Sequence, residues 1–81
     1  MNIDIAIRQA TLLLKKFDIK SPLLDSEILM SKAIQKDRKF IILNQNYKIS
    51  KISLNFFKSL VSQRSLGMPI SYLTKKKFFW K

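Results

Sequence analysis

The residues with chemistry to offer gather near the end of this 81-residue chain. From Arg64 to Trp80 it reads RSLGMPISYLTKKKFFW, so Tyr72, Phe78, Phe79 and Trp80 interleave with Lys75, Lys76 and Lys77. Rings set among ammonium groups suit single-stranded nucleic acid, with bases stacking on the rings and phosphates meeting the lysines. A structural reading competes: Phe78 and Trp80 alternate as residues on one face of a strand do, in a sheet this sequence does not contain. The candidate partner-binding residues are Arg64, Tyr72, Lys75, Lys76, Lys77 and Phe79. Gly67 and Pro69 form the hinge or turn that precedes most of them.

Elsewhere, absences dominate. There is no His and no Cys, which removes disulfides, thiolate chemistry, the usual zinc sites and the commonest general base. A single glycine cannot build a phosphate-cradling loop. Asp25 and Glu27 are the closest carboxylates, but no pair is arranged for acid–base work. Glu27 sits beside an apolar sector and calls for a cationic or backbone partner, which makes a structural ion pair its expected role. No catalytic, cofactor-binding or metal-ligating residue is assigned. The residues by themselves describe a binding or structural module.

The charge is uneven. Of a net +11, residues 1–37 contribute six basic and five acidic side chains, and residues 38–81 ten basic and none acidic. A basic half points to nucleic acid, an anionic membrane or an acidic protein partner. The bias towards Lys, Ile and Phe is also what AT-rich codons produce. The longest apolar run is Phe40 to Leu43, against roughly 18 residues for a membrane span. A monomer in the cytoplasm, with no membrane partner, is the expectation.

The elements that position these residues are helices. At 47% hydrophobic, with one Gly and two Pro, the composition suits a small all-α bundle of four to five helices with a short extended C-terminal tail. In residues 3–17, Ile3, Ala6, Ile7, Ala10, Leu13, Leu14 and Phe17 fall in one stripe about 120° wide. Ser21 as N-cap and Pro22 at the first helical position start a second helix, about 22–35, apolar on most sides and so central. Asp37 caps a short segment, 38–43, taken as helix although its pattern equally fits a buried strand. Residues 44–48 are a polar loop. Ser50 caps a fourth helix, 51–66, with Ile49 and Leu54 as a hydrophobic staple and Leu54, Phe57, Leu60 and Val61 as its buried stripe. Phe56 and Leu66 lie off that stripe. Gly67 suits the left-handed position after the helix, and Pro69 bars continuation before a last turn at 70–74.

The order of these features resembles the N-terminal helical domain of the HemK-type (PrmC) peptide-chain release factor glutamine methyltransferases. Ser21-Pro22-Leu23-Leu24-Asp25-Ser26-Glu27-Ile28-Leu29 is similar to the family's P…DAEILL helix. Arg38-Lys39-Phe40-Ile41-Ile42-Leu43 stands where its short third helix does. Arg64 to Thr74, followed by Phe79-Trp80, resembles the R…G.P..YLTG…FW segment that joins the helical domain to the catalytic one. A departure is Lys75, where the family has the glycine that permits a tight turn.

The resemblance implies a release-factor-recognition domain over residues 1–74, with 75–81 as the start of a linker or first strand towards a catalytic domain. It implies that the full-length family transfers a methyl group from S-adenosylmethionine to the glutamine of the release factor's Gly-Gly-Gln motif. The family's glycine-rich cofactor loop and Asn-Pro-Pro-Tyr motif are not in this sequence, so no activity is expected from this chain alone. On this reading the chain is a truncated methyltransferase whose partner is a release factor. A basic nucleic-acid-binding module is the second choice, and a degraded reading frame is the third.

Overall fold

A computed structural model describes residues 1–75, and Lys76, Lys77, Phe78, Phe79, Trp80 and Lys81 lie outside the described residues. Five helices follow in order: α1 (Ile3–Lys16), α2 (Pro22–Ile34), α3 (Arg38–Leu43), α4 (Lys51–Ser65) and α5 (Ile70–Leu73). The second helix contacts all four others, as its broad apolar surface predicts. Ile3, Leu14, Leu29, Met30, Ala33, Ile41, Leu60 and Leu73 are fully enclosed, and Phe57 is the largest side chain among them.

Three of the backbone donors that the start of α1 would leave unpaired find acceptors, which explains why the helix begins there. The Asn2 side chain accepts from the Ile5 N–H, and the Asn2 carbonyl from that of Ala6. The remaining two N–H groups, of Ile3 and Asp4, donate to the Tyr47 and Gln45 carbonyls at 3.0 and 3.1 Å. The polar loop predicted for 44–48 is therefore pinned to the first helix. Ile49 completes this by donating to the Met1 carbonyl at 3.0 Å.

Three helices end in the same motif. After α1, α2 and α4 the chain enters the left-handed region at Asp18, Gln35 and Gly67, with φ of 61°, 58° and 99°. The next residue then reaches back: Ile19 N–H to Leu14, Lys36 to Ser31, and Met68 to Gln63. This satisfies carbonyls that each helix end leaves open. A Cβ on Gly67 would meet nothing within 4 Å, so only its backbone conformation requires glycine. Gly67→Ala is expected to lower stability by about 1–2 kcal/mol without clash or rearrangement. A urea-unfolding midpoint shift at unchanged slope would show it.

Segment 38–43 is a helix rather than a strand. Asp37 accepts from the Phe40 N–H at 2.8 Å and caps it, while Ile41 alone among its residues is fully buried. Asp37→Ala removes that cap and should cost about 1 kcal/mol, read as a lower melting temperature. Ser50 caps α4 by accepting from the Ser53 N–H at 3.2 Å. Ile49 is buried, and Leu54 is partly buried against the core.

Some expectations are corrected. The Ser21 side chain makes no cap hydrogen bond. Pro22 has no N–H to satisfy, and the Ser21 carbonyl already accepts from Asp25 at 2.9 Å, so the start of α2 holds without the hydroxyl. The first, second, fourth and fifth helices end one residue earlier than their patterns suggest, at Lys16, Ile34, Ser65 and Leu73. Leu13 and Phe17 belong by spacing to the buried stripe of α1, yet they are 38% and 47% exposed. The stripe is wider than the surface the other helices cover. Leu23 and Leu24, in the first turn of α2, are likewise exposed. Phe56, off the stripe of α4, is half-buried against the core, whereas Leu66 is exposed.

Candidate functional site

Arg64, the first of the candidate partner-binding residues, faces inward. Its Nε donates to Asp25 Oδ2 at 2.9 Å, and its Nη1 donates to the Met68 carbonyl at 2.9 Å. The side chains of Arg64 and Asp25 are only 21% and 9% exposed. One guanidinium thus ties the start of α2 to the end of α4 and to the turn before α5. Tyr72 is exposed on α5. Lys75 is exposed too, and its N–H donates to the Tyr72 carbonyl at 3.2 Å. Positive φ among the described non-glycine residues is confined to Asp18 and Gln35. Lys75 therefore closes its turn without the left-handed backbone that a glycine would supply. Gly67 and Pro69 occupy the turn between α4 and α5, with Pro69 at the N-cap of α5. Lys76, Lys77 and Phe79 lie outside the described residues.

Glu27 has the cationic partner that its position required. Arg38 Nε donates to Glu27 Oε1 at 2.9 Å, joining α2 to α3 with the carboxylate largely enclosed. The third pair is local and exposed, Arg8 with Asp4 at 3.0 Å, four residues apart on α1. All three arginines are therefore held by carboxylates, and the described lysines have none in reach. Lys36 instead stands 5.4 Å from the centre of the Phe40 ring. The positive field of this protein is carried by lysines, which act as mobile point charges rather than planar forks.

Sequence reasoning missed Asp25 and Ser26 as buried polar groups. Ser26 donates to the Pro22 carbonyl at 2.7 Å and accepts from the Thr11 hydroxyl at 3.3 Å. That hydroxyl is committed to holding α1 on α2, with no base beside it. Among the described residues no buried side-chain polar atom is unsatisfied, and no group of three acids could hold a metal ion.

Clefts open at the surface of the described residues. One, of about 280 Å³, lies between α1 and α4 and is lined mainly by Ala6, Ala10, Leu13, Leu54, Phe57 and Val61, with Gln9 and Lys58 at its edges. Another lies between α1 and α2, near Leu12, Leu23 and Glu27. Neither has the make-up of a nucleotide-like cofactor site built on glycine-rich backbone. The first offers no carboxylate for the ribose hydroxyls, and Gly67, the one backbone position open to close approach, lines neither. The described residues contain no strand whose carboxyl end could seat a nucleotide-like cofactor. No described helix is long and apolar enough to cross a membrane.

The described residues form a small all-α domain whose buried polar groups hold its helices together. Residues 6–74 match the family described as PrmC N-terminal domain. The chain belongs to that family. It is 37% identical over 76 residues, 94% of its length, to a release factor glutamine methyltransferase of Clostridium acetobutylicum. It is 40% identical over 80 residues, 99% of its length, to a protein of the same name from Buchnera aphidicola subsp. Baizongia pistaciae. A relative from Buchnera aphidicola subsp. Acyrthosiphon pisum is 34% identical over 80 residues, again 99% of this chain. The chain spans 27–28% of the length of these relatives. No solved structure matches it significantly.

Proposed function

We propose that residues 1–74 are the release-factor-recognition domain of a protein-glutamine methyltransferase acting in the cytoplasm as a monomer. The observation that supports this most is the family match over 6–74, joined to relatives named for a release factor and a glutamine. In the full-length protein, S-adenosylmethionine would donate the methyl group to the glutamine of the Gly-Gly-Gln motif. On this reading the part of residues 1–74 is to bind and orient the substrate. Binding energy gathered far from the reacting atoms lowers the barrier by holding them in attack geometry.

Two measurements test this. The 81-residue chain should bind a bacterial release factor in calorimetry. Added to the full-length C. acetobutylicum relative, it should raise the apparent KM for the release factor and leave kcat unchanged. Absence of both binding and competition would overturn the proposal. With S-adenosylmethionine, the 81-residue chain should methylate nothing.

A second reading, a basic nucleic-acid-binding module, draws on the lysines that no carboxylate neutralises. It requires affinity that falls steeply with salt, in proportion to the phosphates contacted. A flat salt response would end it.

A further inference from the structure

We infer that the groove between α1 and α4 is a docking site for a short acidic amphipathic helix of a protein partner. This rests on the release-factor reading and assigns the contact surface to it. The first observation is the uncovered part of the α1 stripe. Leu13 has the spacing of a core residue and is left 38% exposed where it forms one wall. The small side chains of Ala6 and Ala10 and the packed ring of Phe57 make the floor. Ala6 to Leu13 spans about 10 Å, or two turns, so an incoming helix would insert three or four apolar residues as ridges into the groove.

The second observation is charge. No carboxylate lines the groove, and α4 contains none. Lys58 stands at its edge, and helical register carries Lys51, seven residues earlier, to the same flank. On the facing helix Lys16 lies seven residues beyond Gln9, which also lines the groove. Asp4, the carboxylate of α1, is on the opposite side and held by Arg8. Cations on both rims and an apolar floor select a partner helix with carboxylates flanking an apolar stripe. A small molecule would find few polar groups to orient it. A second copy of this chain would bring a like charge of +11 against these rims.

The test is calorimetric titration of a bacterial release factor into the 81-residue chain and three variants, at low and high salt. Leu13→Glu should weaken binding about tenfold or more, by burying a charge against the partner's apolar residues. Lys58→Glu should weaken it at low salt, with the difference shrinking as salt rises. Leu12→Glu, on the other flank of α1, should leave affinity within about twofold. Circular dichroism checks that each variant folds, and Lys58→Glu alters no core contact if Leu13→Glu fails. If wild type and both groove variants bind alike, the groove is not the site, although the release-factor reading stands. If the wild type does not bind, that reading fails and this inference falls with it. A dimer in sedimentation that Leu13→Glu dissolves would give the groove to a second copy and overturn the proposal.

Discussion

Asp25→Ala is expected to lower the unfolding free energy by about 3 kcal/mol, more than any surface substitution in the chain. The reason lies in what the change leaves behind. Arg64 would keep its charge while mostly enclosed, with only the Met68 carbonyl still accepting from it. An uncompensated charge taken from water is far more harmful than an absent ion pair is. The contrast that proves the cause is the double variant Asp25→Leu with Arg64→Met, which removes both charges and fills similar volume. It should recover most of the loss, since replacing both partners of an enclosed pair by packed apolar groups is often neutral. Chemical denaturation of the two variants decides the point. If the single and double changes cost the same, Arg64 contributes through the packing of its aliphatic stem.

Leu14→Ala is expected to cost about 2–5 kcal/mol, and Leu13→Ala under about 1 kcal/mol. The two are adjacent on α1 and belong to the same apolar stripe by spacing. Leu14 is fully enclosed, so its truncation loses transfer energy and leaves a cavity among side chains that cannot collapse to fill it. Leu13 faces the open groove, where water enters the space that the missing atoms leave. A domain of this size has a total stability of roughly 4–12 kcal/mol, so the first change threatens folding and the second does not. Melting curves separate them, because about 1 kcal/mol corresponds to a shift of roughly 4–8 °C in a chain this short. Equal shifts would mean that the groove closes over Leu13 in solution.

The all-α architecture, the helix order and the turn at Gly67 could all be read from the chain. Each rests on signals a few residues long: period-3.6 apolar spacing, Asp37 and Ser50 as caps, a glycine before a proline. The same local logic found no sign of the left-handed positions at Asp18 and Gln35. Asp18 is of a type that enters this region more readily than most, but Gln35 is not, and the hydrogen bonds that hold both come from the helix end itself. It also credited Ser21 with a side-chain cap that Pro22 made unnecessary.

For the candidate site the division is sharper. Glu27's need for a cation could be read from its place beside an apolar sector, but not that Arg38 would supply it. Arg64 stood out as a basic residue near an aromatic segment. Its pairing with Asp25, 39 positions away, depends on how α4 lies across α2. Composition fixed the sign and size of the charge. Only tertiary structure decided that Arg38 and Arg64 are held by Glu27 and Asp25. The same holds for the groove: spacing marks Leu13 as apolar and inward, but spacing describes one helix, and burial depends on what its neighbours cover. Local periodicity is set by the geometry of a single helix, whereas which part of an apolar face stays open is set by the number and placement of the helices packed against it.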